Sequence, residues 1–179
     1  MPQRSRARAK TPSGRSGLIA KLELTQQLPH LLRRSHFAAE ATFSRLFADQ
    51  DITSRQAAIL LTVTQQPGIS QAKLGEATGL DENTLSNIVS RMVRKKLINR
   101  ARSKQDKRAN GLTITSTGEK ALKRIGPTLA GYGKVVASNL TLAEHDMLVS
   151  LLRRLLALEN TTPGVNGYPN AAANTMRQR

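Results

Sequence analysis

The sequence predicts a mainly α-helical fold carrying one small β-hairpin, and three observations predict it. Apolar residues recur at helical spacing in six successive segments between about Leu24 and Leu156. Most of those segments open on a Ser, Thr or Asp placed to cap a helix, at Thr53, Ser70, Asp81, Ser116 and Thr141. One short stretch breaks the pattern: Leu112 and Ile114 alternate with Thr113 and Thr115, as in a half-buried strand.

Taken in order, the first helix holds Leu24, Leu28, Leu31, Leu32, Phe43, Leu46 and Phe47 at helical spacing. Proline is tolerated only near a helix start, so the regular part begins near Pro29 and ends near Asp49. Thr53 and Gln56 form a capping box ahead of Ala57-Ala58-Ile59-Leu60-Leu61, and Pro67-Gly68 ends that helix. Ser70 caps a short helix to Thr78, broken by Gly79. Asp81 starts a longer one, with Leu85, Ile88, Val89 and Met92 on one face, reaching about Lys96. The runs Leu97–Ser103 and Gly111–Thr115 flank the polar segment Lys104–Asn110 and form the hairpin. Ser116 and Glu119 make a second capping box for a helix to about Ser138, which Gly126-Pro127 should kink. Thr141 and Glu144 cap the last helix, whose stripe is Met147, Leu148, Leu151, Leu152, Leu155 and Leu156.

Charge narrows the function. The chain has 179 residues with 28 Lys+Arg against 12 Asp+Glu, a net charge of +16, which favours a polyanionic partner. It has no Cys, so a disulfide scaffold, a thiolate metal site and a cysteine nucleophile are all excluded. The longest apolar run, Ala57 to Val63, is too short to span a bilayer, and no membrane partner is expected. The start lacks the apolar middle of a signal peptide; its Arg- and Ser-rich composition has an organelle transit peptide as its competing reading. The excess charge lies in two places. Residues 1–22 carry Arg4, Arg6, Arg8, Lys10, Arg15 and Lys21 without an acid and read as a disordered basic arm. Residues 83–124 carry twelve Lys/Arg against Asp106 and Glu119, inside a patterned region that can fix their shape. Residues 159–179, rich in Asn, Thr, Ala, Pro and Gly, read as a flexible tail.

Residues 70–96 fit a helix-turn-helix. Gly75 is small where two helices cross, Gly79 supplies the turn, and Leu74, Leu80, Leu85 and Ile88 fill the space between them. The outer face of the second helix offers Asn83, Thr84, Ser86, Asn87, Ser90 and Arg91, with Ser70 and Lys73 on the helix before. Short amides and hydroxyls there suit base edges and phosphates in the major groove. The hairpin that follows carries Arg100, Arg102, Ser103, Lys104, Lys107 and Arg108, opposed by Asp106 alone. A basic hairpin in that position is a wing able to reach the neighbouring minor groove.

The stretch Asp106-Lys107-Arg108-Ala109-Asn110-Gly111-Leu112-Thr113-Ile114-Thr115 resembles the wing signature D-x-R-x-x-x-L-x-(L/I)-T of the MarR family of winged-helix transcriptional regulators. The order Ile69-Ser70-Gln71, Leu74, Asp81, Thr84, Arg91, Leu97, Arg100 matches as well, and the resemblance covers about Leu28 to Leu156. It implies that residues 81–96 are the recognition helix and that Arg108 enters the minor groove. It implies too that Asp106 supports the wing by pairing with Arg100 or Arg102, and that the first and last two helices interleave with a second subunit. The family often has Gly where Lys96 stands, so Lys96 should need another way to end the helix. The organisation expected is a winged helix-turn-helix DNA-binding domain at 51–115 with a helical dimerisation region at 23–50 and 116–158.

The leucines of the last helix independently argue for a homodimer, since a small wing domain cannot cover both that stripe and the first helix. A two-fold dimer sets two recognition helices about 34 Å apart, so the operator should be a pseudo-palindrome in double-stranded DNA. In the first helix, Arg33, Arg34 and His36 stand beside Phe37 and Phe43, a cationic fork with an aromatic wall suited to an aromatic carboxylate. The run Leu28 to Phe37 also resembles the opening helix of MarR-type members answering aromatic acids or their CoA thioesters. The competing reading leaves Arg33 and Arg34 solvated and His36 hydrogen-bonded at an interface. His36 with Glu40, or His145 with Asp146, lacks a third ligand, and neither metal nor cofactor is expected. No phosphate-binding Gly loop, G-x-S-x-G or metal-hydrolase motif occurs, so no enzyme is expected. The expectation is a cytoplasmic bacterial repressor. Its ligand would lie between the first helix, the Thr53–Gln66 helix and the helix near Pro127, changing the spacing of the recognition helices. A sequence-independent architectural nucleic-acid-binding protein is the alternative.

Overall fold

The computed structural model describes residues 22–102 and 110–158. The basic arm (Leu22 apart), the wing tip 103–109 and the tail 159–179 lie outside the described residues. The chain divides into two compact units, one ending at Ala39 and one starting at Glu40. The first contains a 3₁₀ turn at Leu24–Gln26 and the opening turns of α1 (Leu28–Leu46), with Pro29 in the first turn, where a missing N–H costs no helical hydrogen bond. Its apolar side chains Leu28, Leu31, Leu32 and Phe37 are exposed.

The second unit holds the rest of α1 followed by α2 (Ser54–Gln65), β1 (Ile69–Ser70), α3 (Gln71–Thr78), α4 (Glu82–Arg94), β2 (Ile98–Arg102), β3 (Asn110–Ile114), α5 (Ser116–Val136) and α6 (Leu142–Leu155). Local side-chain chemistry starts these helices. At α2 the Gln56 N–H donates to the Thr53 hydroxyl at 3.3 Å and the Thr53 N–H donates back to Gln56 Oε1 at 3.1 Å, the reciprocal box read from the sequence. Thr141 and Glu144 repeat it at α6, the Thr141 N–H donating to Glu144 Oε2 at 2.8 Å. Ser70 caps α3, and Gly79 ends it in the left-handed region at φ 68°. No helix among the described residues is long and apolar enough to cross a membrane.

Three details differ from the sequence expectation. A third strand exists: β1 pairs antiparallel with β3, giving the order β1-β3-β2. Gly111 makes this possible, since a Cβ there would lie 2.7 Å from the Gly68 carbonyl oxygen. The cap of α5 is Thr115, whose hydroxyl accepts from the Gly118 N–H at 3.0 Å, and Ser116 is already helical. And Lys96 itself takes the left-handed conformation the family gives to Gly, at φ 55°. The Leu97 N–H returns to the Met92 carbonyl and the Lys96 N–H to that of Val93, both at 2.9 Å. Together these close a Schellman end, with Leu97 and Met92 in the same core.

Two buried clusters organise the second unit. The larger joins Ile59, Leu60 and Val63 of α2 to Leu74, Leu85, Val89, Met92, Ile98 and Leu112, so helix-turn-helix and sheet share one core. The smaller packs Phe43 and Phe47 of α1 against Ala57 and Ile125. The first turn of α5 seats on the chain just past α4: a Cβ on Gly118 would overlap the Leu97 carbonyl, so the two backbones touch only because the side chain is absent. Gly118→Ala should therefore lower stability by about 1–3 kcal/mol in urea unfolding. Gly126→Ala on the same helix, where a Cβ meets nothing within 4 Å, should be neutral or stabilising.

Candidate nucleic-acid interface

The crossing of α3 and α4 is set by a small residue. A Cβ on Gly75 would stand 3.3 Å from the Leu80 carbonyl oxygen and 3.4 Å from Leu85 Cδ2, so a larger side chain would push the helices apart. Leu85, Val89 and Met92 fix the inner face of α4, each no more than 1% exposed. Their burial decides what lies opposite. Asn83, Asn87, Ser90 and Arg91 are exposed, at the i, i+4, i+7 and i+8 positions of one helical face, while Thr84 and Ser86 are half-buried at its edges. Arg94, one turn beyond Ser90 and not among the residues singled out from the sequence, is exposed and continues the stripe.

Both ends of α4 are tied down. At the N-terminus the Asp81 carboxylate accepts the Thr84 N–H at 2.9 Å, and the Thr84 side chain and backbone together hold that carboxyl below the usual carboxylate range. At the C-terminus Lys95 Nζ lies 2.7 and 2.8 Å from the two oxygens of Asp51, the residue before the α2 cap loop. Asp51 is 87% exposed, so this pair adds at most about 1 kcal/mol; its effect is to aim the helix end.

The remaining basic candidates distribute as follows. Ser70 is the cap of α3, its hydroxyl accepting the Lys73 N–H at 3.3 Å, and Lys73 is exposed. Arg100 is exposed on β2, with Nη2 3.5 Å from Gln71 Oε1. Arg102 ends β2 opposite Asn110. Lys104, Asp106, Lys107 and Arg108 lie outside the described residues.

The candidate ligand residues separate. Arg33, Arg34, His36 and Phe37 are all exposed on the first unit, the His36 and Phe37 rings 5.8 Å apart. Phe43, expected as part of an aromatic wall, is instead core: it is 3% exposed, stacked on Phe47 at 4.2 Å and edge-on to Tyr132 at 5.6 Å. Burial, with the Glu40 charge as a second cause, pushes the Tyr132 phenol up, so it stays neutral. A cavity of about 330 Å³ opens where Glu40 of α1 and the start of α2 meet Asn87, Ile88 and Arg91 of α4. The first helix and the Thr53–Gln66 helix contribute to it as the sequence placed a ligand, and α4 stands in for the helix near Pro127.

The MarR family profile matches residues 52–109, from the α2 cap loop through the wing. A protein of Thauera aromatica described as a transcriptional regulator for the hcr operon is 31% identical over 133 residues, covering 74% of this chain and 80% of its own. The chain belongs to the MarR family. Two solved structures share the fold of this MarR-family chain. PcaV from Streptomyces coelicolor, solved with its natural ligand, is 30% identical with a TM-score of 0.68, covering 75% of this chain and 94% of that one. BpsR from Bordetella bronchiseptica, whose DNA binding is regulated by 6-hydroxynicotinic acid, is 25% identical with a TM-score of 0.70, covering 75% and 96%. These relatives are transcription regulators and not enzymes.

The Asp81 cap predicts a pH signature. Its carboxyl is lowered from 3.8 on folding, so its contribution is complete above that value and lost as pH falls through the lower folded value. Asp81→Ala should lower Tm by a constant amount from neutral pH down to about pH 5, and the gap from wild type should narrow below about pH 4.

Proposed function

We propose that the protein is a ligand-responsive repressor that binds a pseudo-palindromic DNA operator as a homodimer and is released by a small aromatic carboxylate or its CoA thioester. The observation that carries the DNA reading is the stripe Asn83, Asn87, Ser90 and Arg91, held outward by the buried face of the same helix. Amides and a guanidinium at those positions can pair bidentately with base edges, and Lys73, Arg100 and Arg102 add phosphate contacts. On the wing, Arg108 enters the minor groove with Lys104 and Lys107 at its flanks, and Asp106 supports it.

The homodimer is supported by apolar surface without a cover among the described residues. On α6, Met147, Leu148, Leu151 and Leu155 are between 44% and 61% exposed, and Leu28, Leu31 and Leu32 are exposed on α1. Such a stripe marks an interaction surface. The effector class is supported by the 6-hydroxynicotinic acid that regulates BpsR and by the exposed cluster Arg33, Arg34, His36 and Phe37. The cytoplasm is the compartment this function requires.

Fluorescence anisotropy at about 150 mM salt is the test. The protein should prefer its own promoter over random DNA by about 10³-fold or more; equal affinity would establish the architectural alternative instead. Asn87→Ala and Arg108→Ala should each weaken operator binding by about 1–3 kcal/mol. In sedimentation velocity, Leu151→Glu with Leu155→Glu should convert a dimer to a monomer and abolish operator binding at nanomolar protein.

A further inference from the structure

We propose that Asn83 and Asn87 each read an adenine, so that every half of the operator carries two A·T pairs, no more than about two steps apart, whose identity these two side chains fix. The inference rests on the reading that α4 binds DNA, and it names the bases that helix selects.

Helix geometry singles these two residues out from the stripe. An α-helix turns about 100° per residue, and the buried centre of α4 lies among Leu85, Val89 and Met92. Measured from the direction opposite that centre, Asn83, Asn87 and Arg94 leave the helix within about 30°. Ser90 and Arg91 stand about 50° to either side, and Glu82, the one acid of the helix, is about 130° away. The two N-terminal turns, from which a recognition helix reaches base edges, therefore lead with an amide twice. Arg94 lies at the far end, where a long cation suits the phosphate backbone.

Neither amide has a local task. Asn is a favoured helix cap, but at α4 the Asp81 carboxylate already takes the Thr84 N–H at 2.9 Å. The side chains of Asn83 and Asn87 have no hydrogen-bond partner among the described residues. Asn is also a poor helix former, so two of them on the outward face cost stability without a local return. Each amide sets an acceptor oxygen beside an NH₂ donor. On the major-groove edge only adenine offers the complement, an N7 acceptor beside an N6 donor. Guanine offers two acceptors, cytosine a donor alone and thymine an acceptor with a methyl group. Such short side chains need the helix backbone close to the bases, and their neighbours Thr84, Ser86 and Ser90 are small enough to permit it. One turn separates the two Cα atoms by about 6 Å along the axis, the separation of base pairs one or two steps apart.

Selection of the full-length protein on a randomised duplex DNA library at about 150 mM salt is the test. The wild type should enrich a two-fold site with two A·T pairs, no more than about two steps apart, in each half. Asn83→Ala and Asn87→Ala should each relax one of those positions, a different one for each variant, with discrimination there falling by about 5- to 150-fold and the rest of the site unchanged. Both variants replace an exposed side chain by a better helix former, so neither should lower Tm. Lys73→Ala is the contrast: loss of a phosphate contact should weaken all sequences alike and relax no position. If either Asn variant leaves the selected site unchanged, weakens every sequence alike, or relaxes a position that is not A·T, the adenine assignment is overturned while the DNA reading stands. A wild-type protein that enriches no sequence would overturn the operator reading itself.

Discussion

The arrangement of the second unit hangs on one carbonyl group, that of Leu97. The Schellman end of α4 delivers the chain to it, with Lys96 in the left-handed region and Leu97 in the core. From there β2 begins, and the same carbonyl accepts the Thr115 N–H at 3.1 Å, while the Thr115 hydroxyl, with one proton to give, lies 2.5 Å from the Lys96 carbonyl oxygen and 3.1 Å from that of Leu97. Thr115 in turn caps α5, and Gly118 lets the first turn of α5 sit directly on the Leu97 backbone. Helix α4, strand β2 and the long helix α5 thus meet at a single residue. The Lys96 and Leu97 carbonyls are thus tied to Thr115 across a sequence gap of 18 residues or more. The orientation of the exposed α4 stripe relative to α5 is therefore a property of a hydrogen-bonded joint, not of a flexible linker.

What the sequence disclosed and what it withheld divide along the range of the interaction. The caps at Thr53, Ser70, Asp81 and Thr141 were legible because each reaches only three residues forward. The cap of α5 was misplaced by one residue because Ser116 also satisfies the local pattern. Only the Leu97 carbonyl, invisible to any window around residue 116, selects Thr115. Strand β1 has two residues and no alternation to detect; it exists because Gly68 and Gly111 let distant segments touch. Lys96 was recognised as a departure, but its outcome was not: the hydrogen bonds to Met92 and Val93 hold it in the conformation Gly would have taken freely.

The site shows the same division. Asn83, Asn87, Ser90 and Arg91 were readable because helical periodicity alone separates them from Leu85, Val89 and Met92. Phe43 was misread because scarcity of aromatic residues says nothing of where a ring points; Phe47 and Tyr132, four residues and most of a domain away, enclose it. The cavity was legible only in part. It needs α1, α2 and α4 brought together, and its charged members Glu40, Arg55 and Arg91 are ordinary surface residues in any linear view.

Lys96 has a consequence beyond ending a helix. A side chain in the left-handed region costs about 1 kcal/mol or more, which Gly would relieve. Yet a cation there complements the partial negative charge at the α4 C-terminus. Backbone preference and electrostatics disagree at this position, a point of local frustration at the end of α4. Selection for a sturdier chain and selection for a more cationic one would pull residue 96 in opposite directions, which makes it a natural site of divergence between otherwise similar regulators.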